Sequence, residues 1–174
     1  MDEIVDVVDT NNVTIGKTSK RDAHEKGLLH RCVIAMIRNS KGEWLLVKQA
    51  SGRQDAGQYV APVGGHVSSG EAQDDALKRE AQEEVGFVDH FTFKYLGSGI
   101  FDRNIIGRHE NHLFLMYEIH SDNIPTLNHE SESYRYFPEE ELKRLLKEEP
   151  DMFGHACHFG LQAFYPNFFI DDRY

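Results

Sequence analysis

A chain of 174 residues, 40% of them apolar, is long enough for one domain with a core of its own. Its net charge of −10 argues against nucleic acid or an anionic membrane as the main partner, since either requires a basic surface. No 18-residue apolar run or signal-peptide pattern is present, so the expected setting is the cytoplasm, with the distant Cys32 and Cys157 as reduced core thiols.

Taken in chain order, residues 3–9 alternate like a strand, Asn11-Asn12 turns, and residues 13–17 return. This predicts a hairpin extension over about residues 1–28. Gly16-Lys17-Thr18 imitates the end of a phosphate loop, but Asn11 stands where the loop needs its first glycine. Residues 21–26 predict a short helix stopped by Gly27. Residues 31–38 and 44–49 predict strands around a turn at residues 40–43, and residues 58–63 lead into a glycine-rich loop. Residues 72–85 lack Pro and Gly and are rich in good helix formers, with Ser69 or Gly70 near the N-cap and Gly86 just past the end. Further on, residues 91–96 and 109–119 predict strands, with 97–107 as a long connection. Residues 121–133 predict a polar loop, 134–137 a short strand, 139–147 a helix opened by Pro138, and 151–165 a last helix before an exposed tail. No repeat or linker is visible. The expectation is one domain, 1–174, of α/β class, with a mixed sheet between helices.

The densest chemical signal lies in residues 65–87. Gly65 is followed after five residues by Glu71; seven residues later come Arg79 and Glu80, then Glu83, Glu84 and Gly86. On one helix Glu80, Glu83 and Glu84 stand at i, i+3 and i+4 and are neighbours, while Ala72, Ala76, Leu77, Ala81 and Val85 form the buried stripe. Like charges at this spacing repel unless a cation joins them, and converging hard oxygens suit Mg²⁺ or Mn²⁺. An acidic triplet alone usually marks a solvated face. Seven specified positions together have a chance match on the order of one in 10⁸ per starting point.

This segment resembles the Nudix box, GX5EX7REUXEEXGU with U apolar, and every fixed position is present; the U positions are Ala81 and Phe87. The resemblance implies a Nudix-type α/β/α sandwich that hydrolyses nucleoside diphosphates linked to another moiety with Mg²⁺ or Mn²⁺. It also implies Glu80, Glu83, Glu84 and the Gly64 carbonyl as metal ligands, Arg79 orienting the carboxylates, and Glu71 supporting the loop and helix. A homodimer would fit the family. The outer segments resemble isopentenyl diphosphate isomerases: Asp6, Asp9, Gly16, Ala23-His24, Leu28-Leu29-His30-Arg31, Val63-Gly64-Gly65-His66 and Glu110-Asn111-His112. Two departures matter. Gly64 replaces the cysteine acid/base that the isomerase needs, and His112 replaces a metal carboxylate. Protonating an alkene needs a positioned acid, whereas diphosphate hydrolysis needs a metal and an activated water. The expectation is therefore a Mg²⁺-dependent hydrolase of a diphosphate-containing small molecule. The alternatives are an isomerase-type enzyme or a non-catalytic ligand-binding module.

By the same resemblance His24, His30, His66 and His112 align with isomerase metal positions. Imidazoles suit Zn²⁺ or other borderline metals; alternatively they cap loops, or His66 and His112 bind substrate phosphate without a second metal. Glu110 would complete the metal shell or act as general base, with Glu130 and Glu132 as rivals for the base. His155-Ala156-Cys157-His158 lacks a second distant pair and reads as structural. Phe159, Phe164, Tyr165, Phe168 and Phe169 read as core or dimer interface.

Overall fold

The computed structural model describes residues 2–169. Strand β3 (His30–Arg38) is the hub of a nine-stranded mixed sheet. It runs antiparallel to β4 (Trp44–Gln49) and β6 (Val63–His66) and parallel to β8 (Arg108–His120), in register from His30↔His112 to Arg38↔His120. β1 (Ile4–Val8) and β2 (Thr14–Ser19) form the predicted hairpin, which joins the sheet through Val7↔His30. β9 (Ser131–Phe137) pairs along the other side of β4, while β5 (Tyr59–Val60) takes Val47 and Lys48 on the side that β3 borders at Trp44 and Leu45.

The alternation of β3 sorts the two cores. Cys32, Ile34 and Met36 face a cluster with Trp44, Phe137, α3 (Glu139–Glu148) and α4 (His155–Phe164). Val33, Ala35 and Ile37 face a second cluster with Leu115, Tyr117 and α2 (Gln73–Val85). A strand buried on both faces reads as one continuous apolar run, as β3 does. The layers are thus helix, sheet, helix, the expected Nudix-type α/β/α arrangement. A short helix α1 (Lys20–Lys26) lies after the hairpin, N-capped by Ser19 and ended by Gly27 at φ 61.

Five details depart from the sequence reading. The N-cap of α2 is Ala72, without a side-chain cap; Ser69 donates its hydroxyl to Asp6 Oδ1 at 2.7 Å instead. Asp74 and Asp75 occupy the first turn of α2, where the helix dipole favours them. The expected connection 97–107 is mostly strand: β7 (Thr92–Ile105) forms a long hairpin with β8, turned by Ile106 and Gly107 at φ 48 and 71. Its glycines read as loop but permit close packing, since a Cβ on Gly99 would lie 2.9 Å from Phe159. β9 begins at Ser131, earlier than expected, pairing with β4 across a register shift near Gln49. The last predicted helix is broken into a 3-10 turn, Pro150–Met152, and α4, with Gly154 as the N-cap of α4. The predicted tail is not all exposed: Phe168 is buried and meets Trp44 edge-on at 5.6 Å. Residues 170–174 lie outside the described residues. Both cysteines are free and buried, and among the described residues no helix is long and apolar enough to cross a membrane.

Candidate active site

α2 packs against β6, and this contact assembles the carboxylate face. Its C-terminal stop is Gly86, at φ 73, whose N–H reaches the Ala81 and Gln82 carbonyls. Glu80 is buried beneath the glycine loop, so close that a Cβ on Gly65 would stand 2.1 Å from its carboxylate. The Gly64 N–H donates to Glu84 Oε2 at 2.6 Å. Arg79 ties the group together. It donates to both oxygens of Glu71 (2.9 and 3.0 Å), to Glu80 Oε1 at 2.5 Å and to the His66 carbonyl at 2.8 Å, and lies 3.6 Å from the more exposed Glu83. Glu71 also accepts the Ser68 N–H at 2.9 Å, closing the loop onto the helix.

The electrostatics separate these carboxylates. Hydrogen bonds from Arg79 hold Glu71 below the usual carboxylate range. Burial raises Glu80, against the pull of Arg79. Burial raises Glu84 well above its ordinary value, opposed by the Gly64 N–H and reinforced by the charges of Glu80 and Glu130. Desolvated carboxylates of like charge are the state that a divalent cation relieves, and an all-oxygen donor set matches Mg²⁺ or Mn²⁺.

A second cluster lies beside the first. His24 from α1, His30 from β3, His66 from β6 and His112 from β8 are all buried, with one ring nitrogen of each within 4.8 Å of the others. His24 Nε2 is 3.2 Å from His112 Nε2 and 3.3 Å from His66 Nε2. His30 Nδ1 donates to the Leu28 carbonyl at 2.7 Å, which leaves Nε2 as the bare nitrogen; that atom is buried without a partner among the described residues. Burial lowers all four pKa values, His24 to about 4 and His112 to about 2. Four neutral imidazoles suit a borderline metal such as Zn²⁺ better than Mg²⁺.

Both clusters border one cavity of about 780 Å³. It brings together Gly64, His66, Arg79, Glu80, Glu83, Glu84, Glu110 and His112 of the expected set; Glu71 acts on it through Arg79. Glu110 is buried with both oxygens engaged: Arg103 Nε donates to one at 2.7 Å, and Arg108 to the other at 2.8 and 3.1 Å. Glu130 reaches the cavity and pairs with Arg53, whereas Glu132 pairs with Lys48. The strand position of Cys32 across from His66 also brings its thiol to the wall, where burial keeps it protonated.

Arg53, Asp55, Arg103 and Arg108 are cavity residues that the sequence did not single out. Arg103 and Arg108 fell in or beside a stretch read as a connection. Recognising the hairpin would have set Arg103 opposite Glu110, a cross-strand charge pair.

Comparison with known proteins agrees with this architecture. The NUDIX domain profile matches residues 28–157. The chain is 32% identical to an isopentenyl-diphosphate Delta-isomerase from Photorhabdus laumondii, over 88% of this chain and 87% of that one. It is 30% identical to an uncharacterized Nudix hydrolase from Nostoc, over 85% and 88% of the two chains. A third match, 39% identical to an uncharacterized Nudix hydrolase from Streptomyces coelicolor, spans 55% of each chain. Among solved structures, a Deinococcus radiodurans protein superposes with a TM-score of 0.73 at 24% identity, covering 94% of this chain and 99% of that one. The chain therefore belongs to the Nudix family, as a Nudix hydrolase of the isopentenyl-diphosphate-isomerase-like kind.

Proposed function

We propose that the enzyme hydrolyses a diphosphate-containing small molecule by attack of water at phosphorus. The observation that carries this reading is the mutually repelling pair of buried Glu80 and half-buried Glu84, held by Arg79 and the Gly64 N–H on the wall of the cavity. Glu80, Glu83, Glu84 and the Gly64 carbonyl would hold Mg²⁺ or Mn²⁺. A cation there supplies charge neutralisation of the diphosphate and acidification of a water molecule. Arg79 keeps the carboxylates in register while its own charge is secured by Glu71 and Glu80.

A base must take the proton from the attacking water. Glu130 is the better placed rival, because it borders the cavity and its charge acts on Glu84. Glu110 already accepts three hydrogen bonds from Arg103 and Arg108, which leaves about one of its four acceptor sites for a water. The test is release of phosphate or nucleotide from a panel of diphosphates with Mg²⁺. Glu83→Gln and Glu84→Gln are each expected to lower turnover by roughly 10²-fold or more. Near-normal activity in both variants sinks the assignment.

A second metal in the imidazole cluster is favoured by one observation: the bare, buried Nε2 of His30 facing three other rings. Elemental analysis of the purified protein tests it. Stoichiometric Zn²⁺ or a similar metal, lost in His24→Ala, supports that reading. Its absence returns His66 and His112 to the role of substrate-phosphate ligands. Double-bond migration of isopentenyl diphosphate, with no hydrolysis of any diphosphate, would replace the hydrolase with the isomerase.

A further inference from the structure

One wall of the cavity carries three arginines that the glutamate helix does not use. Arg103 and Arg108 flank the tight turn of the β7–β8 hairpin, and Arg53 comes from the loop between β4 and β5. Arg103 donates both Nη groups to Asp55, at 2.9 and 3.0 Å, and its Nε to Glu110. Arg108 grips the other oxygen of Glu110. Arg53 pairs with Glu130, yet its Nε is buried and meets no acceptor among the described residues.

A guanidinium carries five N–H donors in a planar fork. The bonds of Arg103 to Asp55 and Glu110 commit three of its five. Asp55 makes its pair from a left-handed backbone, φ 58, a form that Asp tolerates better than most residues. The two carboxylates act as struts: they fix a side chain that is only 12% exposed, with donors left over on the cavity wall. Oriented, partly desolvated guanidinium groups with spare donors suit a tetrahedral oxyanion.

The charge of that oxyanion narrows the ligand. In a diphosphate esterified at both ends each phosphate bears one charge. A terminal phosphate bears about 1.5 to 2 charges at neutral pH and offers three acceptor oxygens. Asp55, Glu110 and Glu130 balance the charge of the three arginines, so what this wall offers a terminal phosphate is oriented spare donors to match its three acceptor oxygens. We propose that Arg53, Arg103 and Arg108 form an anion subsite for the terminal phosphate of the substrate. Preferred substrates then end in an unesterified phosphate instead of carrying a group at each end of the diphosphate. This rests on the diphosphate-hydrolase reading above.

The test is titration calorimetry in chelator, without divalent cation, using inorganic pyrophosphate as the probe. Wild type is expected to bind. Arg53→Gln and Arg108→Gln should each weaken binding about tenfold or more, the loss of a hydrogen bond to a charged group. Arg108→Lys should recover only part, since the fork is gone. A nucleoside diphosphate should bind about tenfold or more tighter than the same diphosphate capped by a sugar. Melting curves establish that each variant is folded. Three results each overturn the proposal: no pyrophosphate binding by wild type, wild-type affinity in folded Arg53→Gln and Arg108→Gln, or equal affinity for the capped diphosphate. Failure of the hydrolase reading looks different: no Mg²⁺-dependent turnover of any diphosphate, while pyrophosphate binding and its dependence on arginine persist.

Discussion

Gly64 and Gly65 are adjacent but answer to different constraints. A Cβ on Gly65 would meet the Glu80 carboxylate at 2.1 Å, whereas one on Gly64 would have as its nearest contact the Val33 carbonyl oxygen at 3.6 Å. Gly65→Ala is expected to drive Glu80 from its position and lower turnover by about 10²-fold, as a misplacement of about an ångström can. Gly64→Ala should leave the fold intact. Kinetics across a range of Mg²⁺ concentrations, with circular dichroism of both variants, checks this; wild-type behaviour of Gly65→Ala would refute it. The glutamate face was legible in the sequence because one helix fixes the spacing of Glu80, Glu83 and Glu84. Arg79 was legible only as a motif position, because its bonds to Glu71 and the His66 carbonyl depend on how the loop folds back. The arginine wall was missed because Arg103 and Arg108 lie on a hairpin that read as a connection, and Arg53 joins them from a separate loop only in the tertiary structure.

At the scale of elements, β7 shows how a strand can hide. Period-2 patterning fails there because Gly97 and Gly99 make room for Phe164 and Phe159 of α4. Gly99→Val should force Phe159 aside and cost about 1–3 kcal/mol, measurable as a lower urea midpoint; an unchanged midpoint would mean that α4 yields freely. The hairpin tip supplies the opposite case. Ile106 is 73% exposed, β-branched and held at φ 48, where a two-residue turn prefers Asn. Ile106→Asn should raise stability by about 0.5–1 kcal/mol, read from the same unfolding curves. β3 and α2 were legible because two-sided burial and a helical stripe leave plain patterns. The broken last helix was not, because the break at Gly154 is set by packing: a Cβ there would come within 2.8 Å of Val60.

The whole molecule carries its pH response in two opposed groups. The four clustered histidines are held below their ordinary value, His24 to about 4. As pH falls below about 6.5 the unfolded chain takes up protons that the folded one refuses, so stability is lost on acidification. In chelator, wild type should therefore lose stability relative to His24→Gln between pH 7 and pH 5. The buried Glu80 and the half-buried Glu84 act with the reverse sign. Their raised values make wild type lose stability relative to Glu84→Gln as pH rises from the ordinary carboxylate range through the folded value. Denaturant unfolding at several pH values checks both; parallel curves for wild type and either variant would remove that group as the cause. The layered α/β class was legible from element order, but the parallel pairing of β3 with β8 was not, since nothing local in either strand names its partner. That pairing sets a timetable for synthesis. His24 and His112 are 88 residues apart, and their meeting waits on β8 docking beside β3. A nascent chain will have His24, His30 and His66 outside the ribosome well before the fourth imidazole emerges. Until then the apolar faces of β3 lack their parallel neighbour, so a translation pause just before β8 would expose the chain to aggregation.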